Sequence, residues 1–328
     1  MLPNAMKTVE MREPGDADVL EIGSRPLPII KPNEVLIKVY AVGVNGPDLV
    51  QRRGHYPPPA GASDLLGLEV SGSIVDCGGD VKRWKIGDQI CALTNGGGYA
   101  EYVAVDSSHC LSIPNGIDSI DAAGLPETFF TVWSNCFYQL SHPANGIFLV
   151  HGGAGGIGST AIQIGTALGL RVYTTCATDE DSEYCLSLGA TKAINYHTDD
   201  FVESVREAGG ASLILDTIGG DYVARNIKAA THDARIVQLA FNKGSKMELN
   251  LMPVMLKRII YTGSTLRSRP EDFKSAIATS LESEIWPLLV TNKIRTHTHI
   301  TMPFEQASDA HKLMESAKHK GKILLTPG

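Results

Sequence analysis

The sequence predicts an α/β protein in which a doubly wound parallel sheet is inserted into a β-rich domain. Three observations carry this prediction: a change of rhythm from Gly146 onward, six apolar strand-length runs alternating with helix-length segments, and a glycine turn between the first of those strands and its helix. The 328 residues suggest about two domains. The expected division is 1–125 with 265–328 for the β-rich domain, and 126–264 for the inserted one.

Residues 6 to about 125 read as short strands with Gly and Pro between them. Glu34–Tyr40 and Val70–Val75 are strand-like, Pro57–Pro59 stiffens one loop, and Gly96–Gly98 loosens another. The inserted part places strands at Ile147–His151, Arg171–Cys176, Lys192–Tyr196, Ser212–Asp216, Arg235–Ala240 and Ile259–Thr262. Helices are expected near 156–169, 180–188, 199–208, 220–230 and 252–258. The tail adds a long helix near 270–290, an extended segment near 296–303, a helix near 304–318 and a strand at Lys322–Leu325.

Composition narrows the function classes. A net charge of −7 with no block of like charges argues against nucleic acid and anionic membrane as partners. No run approaches the ~18 apolar residues of a membrane span, and Met1–Met6 lacks the basic and apolar regions of a signal peptide. Six scattered cysteines form no CxxC pair, which suits reduced thiols in the cytoplasm. His297 and His299, two apart on an expected strand, read as surface histidines with no third ligand nearby.

The sharpest local signal is Gly153-Ala154-Gly155-Gly156-Ile157-Gly158, directly after strand 147–151 and directly before a helical pattern. Strand, glycine turn and helix together make a dinucleotide fingerprint. The glycines allow a tight turn, and the helix N-terminus offers N–H groups and partial positive charge to a pyrophosphate. The inserted domain is therefore expected to be a Rossmann domain. NAD enzymes usually carry an acid at the tip of the second strand; here the strand runs into Thr178, and Asp179-Glu180-Asp181 follow in the next helix. The missing acid leans toward NADPH. The acidic run leans back, so NADH stays open, with helix capping as the plain reading of those carboxylates.

Beyond these residues, Gly43-Val44-Asn45-Gly46-Pro47-Asp48, Gly67-Leu68-Glu69-Val70, Trp84-Lys85-Ile86-Gly87-Asp88, Ile194-Asn195-Tyr196 and Gly321-Lys322-Ile323 complete a pattern. Together they resemble the zinc-independent quinone oxidoreductase family of the medium-chain dehydrogenase/reductase superfamily. Pro58–Ser63 and Gly263–Arg269 look closest to its tumour-suppressor-induced quinone oxidoreductase-like subgroup. The resemblance covers residues 6 to about 326. It implies a GroES-like catalytic domain built from both chain ends, a Rossmann domain between them, and homodimers or homotetramers. It also implies a 2′-phosphate grip by Thr178 and Tyr196, with Asp181 standing where relatives have a lysine; Lys320 or Lys322 is the candidate replacement. Thr131 lies on the helix that connects the domains in this family, where it would bond the nicotinamide portion. Ala240, Phe241, Leu266 and Arg267 follow strand ends that face the cofactor in this topology.

Where zinc relatives place a cysteine and a histidine, this chain has Asn45 and Leu68, so catalytic zinc is not expected. The expected substrates are then quinones or other conjugated carbonyls, which spread the charge that hydride brings. Asn45 and Tyr56 are the expected catalytic and substrate residues, donating hydrogen bonds to a carbonyl oxygen, with Tyr56 the better proton relay. Tyr99, beside the Gly96–Gly98 loop, is expected to border the substrate. Asp48 and Arg52, four apart, are expected to form an ion pair. Two other readings stay open: an enone or alkenal reductase, and a nucleotide-binding structural or redox-sensing protein.

Overall fold

In the computed structural model, which describes residues 2–328, β1 (Ala5–Met11) pairs antiparallel with β2 (Leu20–Pro26). The long strand β3 (Glu34–Val44) is the backbone of the larger antiparallel sheet. It pairs antiparallel with β4 (Glu69–Cys77) and with β6 (Tyr102–Asp106), and β4 passes the sheet on to β5 (Gln89–Leu93) and β7 (Cys110–Ser112). Eight of the eleven β3 residues are buried, as the run of Val, Leu, Ile and Ala demands. Helix α1 (Gly46–Arg52) leaves the end of β3 with Pro47 in its first turn, where a missing N–H costs nothing. Helix α2 (Pro126–Val132) also opens on proline.

The inserted strands are β8 (Ile147–His151), β9 (Arg171–Cys176), β10 (Lys192–Asn195), β11 (Ala211–Asp216), β12 (Ala230–Gln238) and β13 (Ile260–Gly263). They form one parallel sheet in the order β10-β9-β8-β11-β12-β13. Between them run α3 (Gly156–Ala167), α4 (Asp179–Ser187), α5 (Phe201–Glu207), α6 (Asp221–Ala229) and α7 (Met252–Lys257). The strand order reverses between β8 and β11, the place where open α/β sheets bind ligands. Ile147, Leu149, Ile214, Ile236, Phe201 and Tyr222 belong to one buried cluster of this unit.

The chain then continues through α8 (Glu271–Ser280), α9 (Trp286–Val290), β14 (Thr298–Pro303), α10 (Ala307–Glu315) and β15 (Lys322–Thr326). β15 pairs antiparallel with β3 and parallel with β14. Two compact units result. One holds the residues up to Phe130, Arg267–Asn292 and Thr296–Gly328; the other holds Thr131–Leu266 and Lys293–Arg295.

Three expectations need refining or correcting. The long helix expected over 270–290 runs unbroken over 271–290 and carries a π turn at Leu281–Ile285. Pro287 stands just beyond, with no N–H to give and a ring that would strike the carbonyl four residues back, so the helix widens before it. Asp48 and Arg52 do not pair. The Asp48 carboxylate accepts the N–H groups of Asn45 (2.8 Å) and Gly67 (2.9 Å), while Arg52 points elsewhere.

The third correction concerns Tyr99, which is a fully buried core residue. Arg52, also fully buried, donates to the Gly15 carbonyl (3.1 Å), to Glu315 and to His311 Nδ1 (3.1 Å). An arginine can only donate, so Nδ1 accepts and Nε2 carries the ring hydrogen, which goes to the Tyr99 hydroxyl at 2.8 Å. Burial, with Arg52 and Arg53 nearby, pushes the His311 pKa down to about 3, so the ring is neutral. This chain of bonds ties α1 to α10. Tyr99→Phe leaves a buried N–H without an acceptor, which should cost about 1–3 kcal/mol of unfolding free energy and leave substrate affinity unchanged. Denaturant unfolding and steady-state kinetics check this together; a weaker KM at unchanged stability would return Tyr99 to the substrate surface.

Candidate active site

The Rossmann unit carries the nucleotide-binding features. Strand β8 is buried throughout and ends at His151, and the turn passes through Gly152 with φ +74°, a left-handed conformation suited to glycine. A Cβ on Gly158 would lie 2.2 Å from the Gly152 carbonyl oxygen and 2.6 Å from the Gly153 Cα. The third glycine of the fingerprint is thus what lets α3 pack against the turn. Gly155 is the N-cap of α3, no side chain caps that end, and its first turn has no acid. A Cβ on Gly155 would meet only the Gly152 oxygen, at 3.8 Å. An uncapped twelve-residue helix with open space before it suits a pyrophosphate, with the N–H groups at Gly156, Ile157 and Gly158, beside Ala154, as its candidate donors.

The contrast with α4 is informative. Asp179, Glu180 and Asp181 fill its first turn, and the Thr178 hydroxyl caps it by accepting the Asp181 N–H at 3.1 Å. The cap is thus the threonine rather than a carboxylate, and Asp179 accepts the Asn195 amide at 3.2 Å. Tyr196 is 41% exposed, with its ring against His197. Phe241 is exposed too, and Ala240 accepts from Gln238 at 2.5 Å at the end of β12. Leu266 is buried in the same unit, as is Thr131, whose carbonyl accepts the Asn135 amide at 2.8 Å.

The other unit holds a cluster that sequence reasoning missed in part. The Lys322 ammonium lies 2.6 Å from Glu69 Oε1 and donates to Asn45 Oδ1 at 2.6 Å, all three residues being buried. Asn45 Nδ2 donates to Glu69 Oε1 (2.9 Å) and to the Gly43 carbonyl (3.2 Å), and the Glu127 N–H reaches Glu69 Oε2 at 2.8 Å. Gly43 is required by close approach: a Cβ there would fall 1.9 Å from Glu69 Oε1. Two readings are corrected here. Asn45 spends both amide hydrogens inside the protein, so it positions this corner rather than donating to a substrate oxygen. Lys322 is paired with Glu69, so it does not replace the missing phosphate-binding lysine.

Tyr56 is half-buried, with the Arg267 guanidinium 5.5 Å from its ring centre. Arg267 is fixed by Asn95 O (2.9 and 2.6 Å) and Gln51 Oε1 (2.6 Å), in the same unit as Tyr56. Burial raises the Tyr56 pKa, Glu127 raises it further, and Arg267 lowers it. Glu127 is the other overlooked residue. Burial first, then the adjacent Glu69 charge, pushes its pKa up to about 8, against the pull of Lys322. Burial likewise raises Asp48 to about 6, with its two N–H donors pulling it back. Glu69, Glu127 and Lys322 gave one faint signal in the sequence, a charged residue within or beside an apolar run.

Folded Glu127 keeps a proton that an unfolded glutamate loses near 4.5, so the folded state binds more protons between 4.5 and about 8 and loses stability as pH rises across that window. Glu127→Gln should flatten this slope by up to about 1.4 kcal/mol per pH unit, read from unfolding midpoints at several pH values; an unchanged slope would mean an ionised Glu127. Gly158→Ala should displace α3 from the turn and weaken dinucleotide binding at least tenfold, measured by fluorescence titration, whereas unchanged affinity would remove the turn from the site.

Residues 156–282 match a family model described as zinc-binding dehydrogenase, and residues 31–115 one described as alcohol dehydrogenase GroES-like domain. A quinone oxidoreductase of Sus scrofa is 27% identical over 326 residues, spanning 98% of this chain and 97% of the relative. Among solved structures, an NAD-dependent alcohol dehydrogenase has a TM-score of 0.87 at 26% identity, covering 98% of this chain and 100% of the other. A mycobacterial protein complexed with NADPH has a TM-score of 0.88 at 25% identity, with the same coverage. Among the described residues, no group of three or more His, Cys, Asp or Glu is placed to hold a metal ion, and no helix is long and apolar enough to cross a membrane.

Proposed function

The chain belongs to the medium-chain dehydrogenase/reductase superfamily, and from that premise we propose that it is a metal-independent, NADPH-dependent quinone reductase. The oxidoreductase class and a nicotinamide cofactor come with the relatives it matches. The observation that carries the finer reading is the Lys322–Glu69–Asn45 corner. The lone pairs that a cation would need at Asn45 and Glu69 are already directed at an ammonium. A substrate reduced here must accept hydride without a Lewis acid, and quinones do so because conjugation spreads the developing charge.

The bound nicotinamide supplies the hydride. The residues of this chain do the rest: the α3 N-terminus holds the pyrophosphate, and Thr178 and Tyr196 meet the ribose phosphate despite Asp181. The Tyr56 hydroxyl, steadied by Arg267, bonds the substrate oxygen and passes it a proton. The assay follows NADPH or NADH consumption with a small ortho-quinone and with an alkenal, with and without a zinc chelator. We expect NADPH and the quinone to give the faster rates, unaffected by chelator. A faster alkenal would make this an enone reductase, and tight nucleotide binding without any turnover would favour a structural or sensing protein. Tyr56→Phe should lower kcat by on the order of 10²-fold at unchanged NADPH affinity, and an unaltered kcat would end its relay role.

All six cysteines are free, which suits a reducing compartment, and we assign the protein to the cytoplasm. We also assign it as a homodimer formed through the β13 edge of the parallel sheet. Met252, Met255, Leu256, Ile260 and Tyr261 are all exposed there, a patch too apolar to stay in water. Ile260→Lys should convert the dimer to monomer in light-scattering chromatography. A wild-type monomer would contradict this assembly.

A further inference from the structure

We propose that a cavity in the unit built from both chain ends is a binding site for an organic acid, a carboxylate on an apolar body. The cavity has a volume of about 560 Å³, the size of a small-molecule site. Its walls come from β6, the 28–31 and 59–63 loops, the Gly96–Gly97 turn and the start of α8, all within one compact unit. Two of the cations on that wall are buried, Lys274 at 1% exposure and Arg267 at 6%.

Every hydrogen bond these two cations make goes to an uncharged oxygen. Lys274 donates to Asn95 Oδ1 (2.8 Å) and to the Arg267 carbonyl (3.1 Å). Arg267 donates to the Asn95 carbonyl and to Gln51 Oε1. An ammonium carries three hydrogens and a guanidinium five, so one on Lys274 and two on Arg267 remain unspent. A buried charge is costly without an opposite charge against it. The carboxylates of the wall do not fill that role. Glu34 is paired with Lys31 (3.0 Å), Asp106 accepts the Asn33 amide (2.6 Å) and the Ser108 N–H (2.9 Å), and Glu271 is exposed. Burial lowers the Lys274 pKa against the pull of Glu271 and Glu127, so neither acid compensates for it. A carboxylate entering the cavity brings the missing charge and two oxygens for the unspent hydrogens.

The remaining wall suits the body of such a ligand. Leu65, Val103 and Val105 are buried apolar residues along it, and Ile29 stands at its mouth 95% exposed. Arg267 also faces the Tyr56 ring, 5.5 Å from its centre, whereas Tyr56 does not line the cavity. The guanidinium is thus shared between the phenol and the cavity. Two sources of the acid fit this arrangement: a carboxylate carried by the acceptor itself, or a separate small acid that acts on Arg267.

The probe is 2-naphthoate, with uncharged 2-naphthamide as control, titrated calorimetrically into the cofactor-free full chain. The acid should bind at least tenfold more tightly than the amide, and Lys274→Met should erase the difference. Ala60→Trp puts bulk into the cavity from an exposed position. It should weaken the acid at least tenfold at an unchanged unfolding midpoint. Equal affinity for acid and amide, or acid binding that survives both variants, overturns the proposal. A second arm separates the two sources, and it alone rests on the reductase reading. If 2-naphthoate raises the KM of a carboxylate-bearing ortho-quinone with NADPH, the site belongs to the acceptor. If it changes kcat with a neutral ortho-quinone at unchanged KM, the site holds a separate acid. A wild type that reduces no acceptor defeats the reductase reading by itself, and the titration still decides whether the cavity binds the acid.

Discussion

The ion pair between Lys322 and Glu69 is the constraint on which the rest of this site depends. It joins the last strand of the chain, β15, to β4, while Asn45 at the end of β3 bridges the two charged groups. A buried pair of this kind contributes little to stability when compared with apolar packing, yet losing one partner strands a charge in the core. Its value lies in what it fixes. Gly43 must lack a side chain, Asn45 must turn inward, and Glu127 must sit beside a carboxylate already neutralised by its lysine. One ammonium thereby separates the surroundings of two neighbouring acids.

The nucleotide side depends on a quieter contrast between two helix ends. The same backbone dipole appears at α3 and at α4, but no side chain caps α3, whereas α4 is capped by Thr178 and carries three acids in its first turn. The open end suits an anion better than the acid-lined one does. In the function proposed here, the balance between Thr178, Tyr196 and the carboxylates at 179–181 would set the preference for the phosphorylated or unphosphorylated cofactor.

Much of the fold was legible in the sequence because its signals are local. The parallel strands at 147–151 and 171–176 announce themselves as apolar runs bounded by glycine, and the turn at Gly153–Gly158 needs its residue types within a few positions. The helix over 270–290 is there as its sequence suggests, and only the π turn before Pro287 was not legible. The site was only half legible. Asn45 and Tyr56 stand in recognisable motifs, but what Asn45 bonds to is decided by Lys322, some 277 positions away. Glu127 reads in sequence as an ordinary acid in the first turn of a helix. Its altered acidity comes from burial and from Glu69, neither of which is a neighbour in the chain. Tyr99 looked like a loop aromatic beside three glycines, and only the fold shows its hydroxyl ending a buried chain from Arg52 through His311.

The most direct test of the central ion pair is a double-mutant cycle on Lys322→Met and Glu69→Gln, read by denaturant unfolding at neutral pH. Each single change should cost about 3–5 kcal/mol, because each leaves a buried group without its partner. The double variant should cost far less than the sum. Additive losses would contradict the pair and, with it, the reason given for the proton held on Glu127.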